Sequence, residues 1–174
     1  MKINIKGIKI FRSNINKDNR GFFKEVYKSK NLKNEKLVFH CLSNSKKNVL
    51  RGLHIQTKNQ QAKFLTVIKG KIFDVAVDLR KNSKTFGKYF STTLDAKLNS
   101  SIYIPKNFAH GFCSLDKENI IYYCCSNYRS KKHEIGILWN DKDLKIKWPV
   151  KKPIISNKDY KNISFKEYCK NFKK

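Results

Sequence analysis

KFLTVIKGKIFDVAVDL, residues 63–79, carries the pattern from which the architecture is read. From Ile72 onward it alternates: Phe73, Val75, Val77 and Leu79 share one face, while Asp74, Ala76 and Asp78 share the other. That period of two belongs to a β-strand. Lys63 to Ile68 reads as the strand before it, and Lys69-Gly70-Lys71 as a tight hairpin joining the pair. Two acids on one face either order a site or simply face water, and water is the commoner outcome.

The same grammar extends in both directions. Upstream, strands are expected at Met1 to Phe11, at Phe22 to Tyr27 after the turn Lys17-Asp18-Asn19-Arg20-Gly21, at Leu37 to Leu42 and at Leu50 to Gln56. Downstream they recur at Tyr89 to Leu94, Ser101 to Ile104, Phe108 to Phe112, Ile120 to Cys125 and Ile135 to Trp139. Many short strands punctuated by turns predict a mainly β fold, a sandwich or a small closed barrel. Only Ser164 to Phe172 reads as helix: Phe165, Tyr168, Cys169 and Phe172 recur at helical spacing, with Ser164 placed to cap.

At 174 residues without a low-complexity linker, residues 1–174 are expected to form one domain. An apolar fraction of 40%, with twelve Phe and eight Tyr, argues against disorder. No run approaches the roughly 20 apolar residues of a membrane span, and the alternating N-terminus reads as a strand and not a signal peptide. The net charge of +26 comes from lysines scattered over the whole chain, without the clustering or aromatic interleaving of a nucleic-acid binder. It reads as a solvated surface that attracts small polyanions. Five cysteines, an odd number with Cys124 and Cys125 adjacent, fit reduced thiols in a cytoplasmic protein.

Chemistry concentrates in Leu50 to Lys63, LRGLHIQTKNQQAK. Arg51 and Lys63 are cations suited to phosphate, His54 is a base poised near neutral pH, and Gln56 adds an amide. Gly52 lets the backbone pass close to a neighbour or a ligand. A metal is not expected, because His54 and His110 have neither a carboxylate nor a thiolate at ligand spacing. Proton transfer beside a ketone is the better match. His54, His110, Tyr123, Lys63 and Asp159 contain a base, a carboxylate to orient it, a cation for an enolate and an acid, provided that the fold brings them together. Taken singly, Tyr123 reads as core packing, Asp159 as a turn residue and His110 as a satisfied core histidine.

These residues lie within motifs that resemble the dTDP-4-dehydrorhamnose 3,5-epimerase family of nucleotide-sugar epimerases. Arg51-Gly52-Leu53-His54-Ile55-Gln56 is similar to its RGLHxQ signature, and Asp18 to Glu25 to its DxRGxFxE motif. Phe73 to Arg80 with Thr85-Phe86-Gly87 resembles its FDVAVDLR and TFG segments. Ile104-Pro105 with Phe108 to Phe112, Trp139-Asn140-Asp141, and Ile146 to Pro149 follow in the family's order.

The resemblance implies a jelly-roll barrel of the cupin class, without metal or cofactor, usually a homodimer whose N-terminal strands reach the neighbouring subunit. It implies His54 as general base with Asp159 as its partner, Tyr123 as the acid on the opposite face and Lys63 on the enolate oxygen. Arg20, Glu25, Arg51, His110, Glu134 and Lys158 would position sugar and diphosphate, and Tyr128 would stack on the base. The implied reaction is inversion of a dTDP-linked 4-keto-6-deoxy sugar at carbons 3 and 5. Alternatives are an epimerase for one carbon, one for a GDP- or CDP-linked sugar, and, from a different class, a non-catalytic module for polyanions. One departure stands out: Phe39 and Cys41 occupy positions where the family usually carries a Gln-x-Asn pair, and neither can replace an amide's hydrogen bonds.

Overall fold

A computed structural model of the protein describes residues 5–32 and 35–172. Its strands are β1 (Lys9–Arg12), β2 (Ile15–Asp18), β3 (Gly21–Lys24), β4 (Phe39–Lys46), β5 (Leu50–Gln56), β6 (Lys63–Lys69), β7 (Lys71–Asp78), β8 (Tyr89–Asp95), β9 (Ser100–Ile104), β10 (Phe108–Ser114), β11 (Glu118–Cys125) and β12 (Glu134–Gly136). Two short helices follow, α1 (Asn157–Tyr160) and α2 (Phe165–Phe172). Glu167 donates its backbone N–H to Ser164 Oγ at 3.1 Å, so Ser164 caps α2 as its sequence position predicts. Of the first expected strand, only its C-terminal part lies in β1, and Met1–Asn4 fall outside the described residues.

The expected hairpin at Gly70 is not one. β6 pairs with β9 and β11, whereas β7 pairs with β8 and β10 in a different sheet. Gly70 is therefore a corner between sheets. It sits at φ +81, and a Cβ there would lie 2.3 Å from the Glu118 carbonyl oxygen. Two five-stranded antiparallel sheets result, β1-β9-β6-β11-β4 and β12-β5-β10-β7-β8, with β2 and β3 as a separate hairpin. This is the mainly β, double-sheeted barrel with a short C-terminal helix that the sequence predicts.

Three apolar layers explain the burial. Between the sheets, Leu65, Val67, Ile72, Ala76, Ile102, Phe112 and Ile121 form the inner core. Outside one sheet, Val75, Val77 and Leu79 pack with Ile137, Leu144 and Tyr168 of the C-terminal segment. Outside the other, Phe64 and Cys124 are covered by Tyr27, Leu32 and Leu37. β7 is thus covered on both faces, and this corrects the expectation for its acids: Asp74 and Asp78 are each 0% exposed. Asp78 accepts from Arg80, Ser83 and Thr85 and stabilises the loop after β7. Asp74 points between the sheets, where the polar end of the interior begins.

Candidate active site

The site is built on the pairing of β5 with β10. His110 stands opposite His54, and after a bulge Phe112 stands opposite Arg51. Gly52 makes that bulge possible: its φ is +123, and a Cβ would meet Gly111 Cα at 2.5 Å and the His110 carbonyl oxygen at 2.8 Å. The expected close approach is therefore to a neighbouring strand.

Each histidine has its own buried carboxylate. His54 Nε2 is 2.6 Å from Asp159 Oδ1, and His110 Nε2 is 2.8 Å from Asp74 Oδ2. With Nε2–H donated to a carboxylate, Nδ1 is the nitrogen left to accept a proton. Asp159 is delivered by the C-terminal segment. Leu50 donates to the Ile154 carbonyl at 2.9 Å, and Ser156 then caps α1 by accepting from the Asp159 N–H at 3.1 Å. Burial alone would push the Asp159 carboxyl up, but the His54 hydrogen bond and charge, with help from the Gly52 N–H and Ser156, bring it below its ordinary value.

Between the two sheets opens a cavity of about 540 Å³. His54, Asp159, Tyr123 and Lys63 all line it, as do Arg51, His110, Glu134 and Lys158. Burial pulls the Lys63 ammonium below its ordinary range, partly opposed by Cys125, Glu134, Asp74 and Cys41 around it. Burial also pushes the Tyr123 phenol up to about 12, against the pull of a hydrogen bond to Ser43 and of the Arg51 charge. Arg51 is aimed by Ser45 Oγ and the Asn44 carbonyl, each at 3.1 Å. Burial disfavours the Glu134 carboxylate, yet Arg129 at 2.7 and 3.0 Å and an ion pair with Lys158 hold it at about 2. Four cations at one cavity suit a doubly anionic diphosphate. Among the described residues, no cluster of three or more His, Cys, Asp or Glu is arranged to hold a metal ion.

Of the expected site residues, Arg20 and Glu25 lie elsewhere in the single chain, and Tyr128 stands beside a residue of the cavity wall without lining it. Arg20, at the tip of the β2–β3 hairpin, is exposed and paired with Asp18 at 2.7 Å. Glu25 pairs with Lys28. Tyr128 is 71% exposed, its ring 6.1 Å from that of Phe39, which does line the cavity together with Cys41. Gln56, read as an amide for the ligand, is instead buried. Its Nε2 donates to the Asn59 carbonyl at 2.8 Å and its Oε1 accepts from the Ser130 N–H at 2.6 Å, so it ties two loops together. Sequence reasoning missed Asp74 as a partner of His110, although the strand alternation already placed it. It also missed Arg129, which sits in a loop whose pattern carries no signal.

Comparisons with known proteins agree with this fold. The family model for dTDP-4-dehydrorhamnose 3,5-epimerase matches residues 2–167. The dTDP-4-dehydrorhamnose 3,5-epimerase of Shigella flexneri is 41% identical over 171 residues, covering 95% of this chain and 94% of that protein. The solved dTDP-6-deoxy-D-glucose-3,5-epimerase of Legionella pneumophila, in complex with dTDP-4-keto-L-rhamnose, superposes with a TM-score of 0.89 at 35% identity, over 94% of this chain and 90% of that one. A 3'-monoepimerase of Streptomyces bikiniensis, in complex with dTDP-quinovose, reaches 0.90 at 26% identity, over 97% and 89%. With the model match running from the N-terminal strands into α2, and a relative at this identity covered nearly end to end, the chain belongs to the dTDP-4-dehydrorhamnose 3,5-epimerase family.

Proposed function

We propose that this chain inverts carbons 3 and 5 of dTDP-4-dehydro-6-deoxy-glucose, giving dTDP-4-dehydro-rhamnose. The carrying observation is that the His54–Asp159 pair, Tyr123 and Lys63 share one cavity. Protons on carbons 3 and 5 are acidified by the ketone at carbon 4. His54 Nδ1 removes one, and the electron pair moves onto the ketone oxygen as an enolate. Lys63 donates a hydrogen bond to that oxygen, and Tyr123 returns a proton from the opposite face. A proton leaves and a proton comes back, so the step itself calls for no redox carrier. Arg51, His110, Glu134 and Lys158 hold sugar and diphosphate in this reading, and Tyr128 stacks on the base.

Arg20 and Glu25 enter the same reading through a second copy of the chain. The hairpin that carries Arg20 exposes Phe22 at 68% and Phe23 at 64%, an apolar surface suited to burial in a homodimer. Sedimentation at twice the chain mass of 20.5 kDa is expected; sedimentation as a monomer would remove Arg20 and Glu25 from the site. Five free thiols support a reducing compartment, the cytoplasm. No helix of the described residues is long and apolar enough to cross a membrane.

The test is to incubate the protein with the dTDP-linked ketosugar in heavy water. Two deuterons, at carbons 3 and 5, are expected in the inverted product. A single deuteron at carbon 3 would favour the second reading, a one-carbon epimerase on the fold shared with the Streptomyces bikiniensis 3'-monoepimerase. No exchange, with salt-sensitive binding of polyanions, would reject catalysis.

A further inference from the structure

The inner face of β4 presents Phe39, Cys41, Ser43 and Ser45 at alternate positions. Phe39 and Cys41 line the cavity, while Ser43 and Ser45 each hold a functional side chain. Ser45 Oγ accepts from Arg51 Nε at 3.1 Å. Ser43 Oγ is hydrogen-bonded to the Tyr123 hydroxyl, and among the described residues it is that hydroxyl's hydrogen-bond partner. The register explains the meeting. Tyr123 on β11 stands opposite Cys41 and Ile121 opposite Ser43, so Ser43 is the diagonal neighbour of Tyr123 on the same face. The ring of Tyr123 is fixed separately by Phe112, 6.5 Å away. Ser43 therefore governs where the O–H points, not where the ring lies.

We propose that Ser43 is a positioning residue for Tyr123, and that its hydroxyl decides whether proton abstraction ends in inversion or only in exchange. This rests on the proposed roles of His54 and Tyr123. After His54 takes the proton, the enolate has two fates. Return of a proton from His54 on the same face rebuilds the original C–H bond, and no inversion follows. Transfer from Tyr123 on the opposite face forms the inverted C–H bond and breaks the phenol O–H. The phenolate left behind accepts a hydrogen bond from the Ser43 O–H until solvent reprotonates it, while the imidazolium of His54 gives its proton to solvent. Ser43 acts on the second fate alone. An ordinary structural contribution would slow both.

The experiment follows both fates in heavy water with the dTDP-linked ketosugar, comparing native protein, Ser43→Ala, Ser43→Thr and Tyr123→Phe. Ser43→Ala is expected to lower inversion about tenfold or more, the effect of losing one well-placed hydrogen bond. Deuterium wash-in to recovered, uninverted sugar should stay within about twofold of native. Ser43→Thr keeps a hydroxyl and should restore inversion, and it carries the test if the alanine variant does not fold. In a double variant with Tyr123→Phe, Ser43→Ala should add no further loss of inversion. Parallel loss of inversion and wash-in, or native inversion in Ser43→Ala while Tyr123→Phe is impaired, overturns the proposal alone. Native inversion in Tyr123→Phe overturns the acid assignment, and this inference with it.

Discussion

His54 and His110 face one another across the β5–β10 register, and both turn Nε2 toward a buried carboxylate, Asp159 at 2.6 Å and Asp74 at 2.8 Å. Paired imidazoles on one cavity wall, each locked in orientation from behind, leave two Nδ1 atoms for the ligand. Only His54 has the C-terminal connection behind it: its carboxylate arrives on α1, not on a neighbouring strand.

Asp159→Asn tests that connection. The amide no longer stabilises an imidazolium on His54, so kcat should fall about 10²- to 10⁴-fold, the range of a general base. Because the Asp159 carboxyl is held below its ordinary value, its contribution to folding is complete above the unfolded carboxylate range and is lost as pH falls through the folded one. The stability difference between native and variant, followed by urea unfolding, should therefore shrink below about pH 4.

Lys63 sets the basic limb of the pH profile. It must carry its proton to steady the enolate, and burial brings its pKa below that of an ordinary lysine. The basic limb should therefore fall at a pH below the usual lysine value of about 10.4. Tyr123, pushed up to about 12, keeps its proton over that range. Lys63→Gln should lose about 10²-fold or more in kcat and the limb with it; a limb that persists in residual activity of Lys63→Gln would assign it to another group.

Gly52→Ala should destabilise by at least about 3 kcal/mol, combining a strained positive φ with overpacking against Gly111. Thermal unfolding measures this directly. A variant as stable as the native protein would mean that β5 and β10 do not approach as described.

Asp78→Asn examines the fold away from the cavity. Asp78 accepts from Arg80 Nη2 at 2.7 Å and from the Ser83 and Thr85 hydroxyls at 2.6 Å each, and its carboxyl lies at about 2 although burial opposes the charge. Removing one partner of so buried an ion pair should cost about 3 kcal/mol, or about 6–12 °C in Tm for a chain of this size. The loss should be full at neutral pH and diminish as pH falls from about 4 toward 2. The kcat of the folded variant should be unchanged.

Strand positions and the C-terminal helix were legible because periodicity is local, and so was the site as a set, through its motifs. Pairing was not. The run through Gly70 reads identically whether the glycine turns a hairpin or a corner between sheets, and only the long-range partners Glu118 and Asn119 distinguish the two. Asp74 and Gln56 were misjudged for one reason. A polar residue on a strand is equally compatible with water and with a buried partner, and the deciding partner, His110 for Asp74 and the Ser130 backbone N–H for Gln56, is remote in sequence. Arg20 lies in the β2–β3 hairpin and Glu25 directly after it, on a part of the single chain left exposed, so neither the pattern nor one subunit locates their ligand.

The most direct measurement of the central claim is deuterium entry at carbons 3 and 5 of the dTDP-linked ketosugar, in heavy water, with His54→Ala beside the native chain. The substitution should abolish entry at both carbons, at least about 10²-fold, while thermal unfolding stays close to native. Deuterium entering either carbon at the native rate in His54→Ala would contradict the assignment of this imidazole as the base.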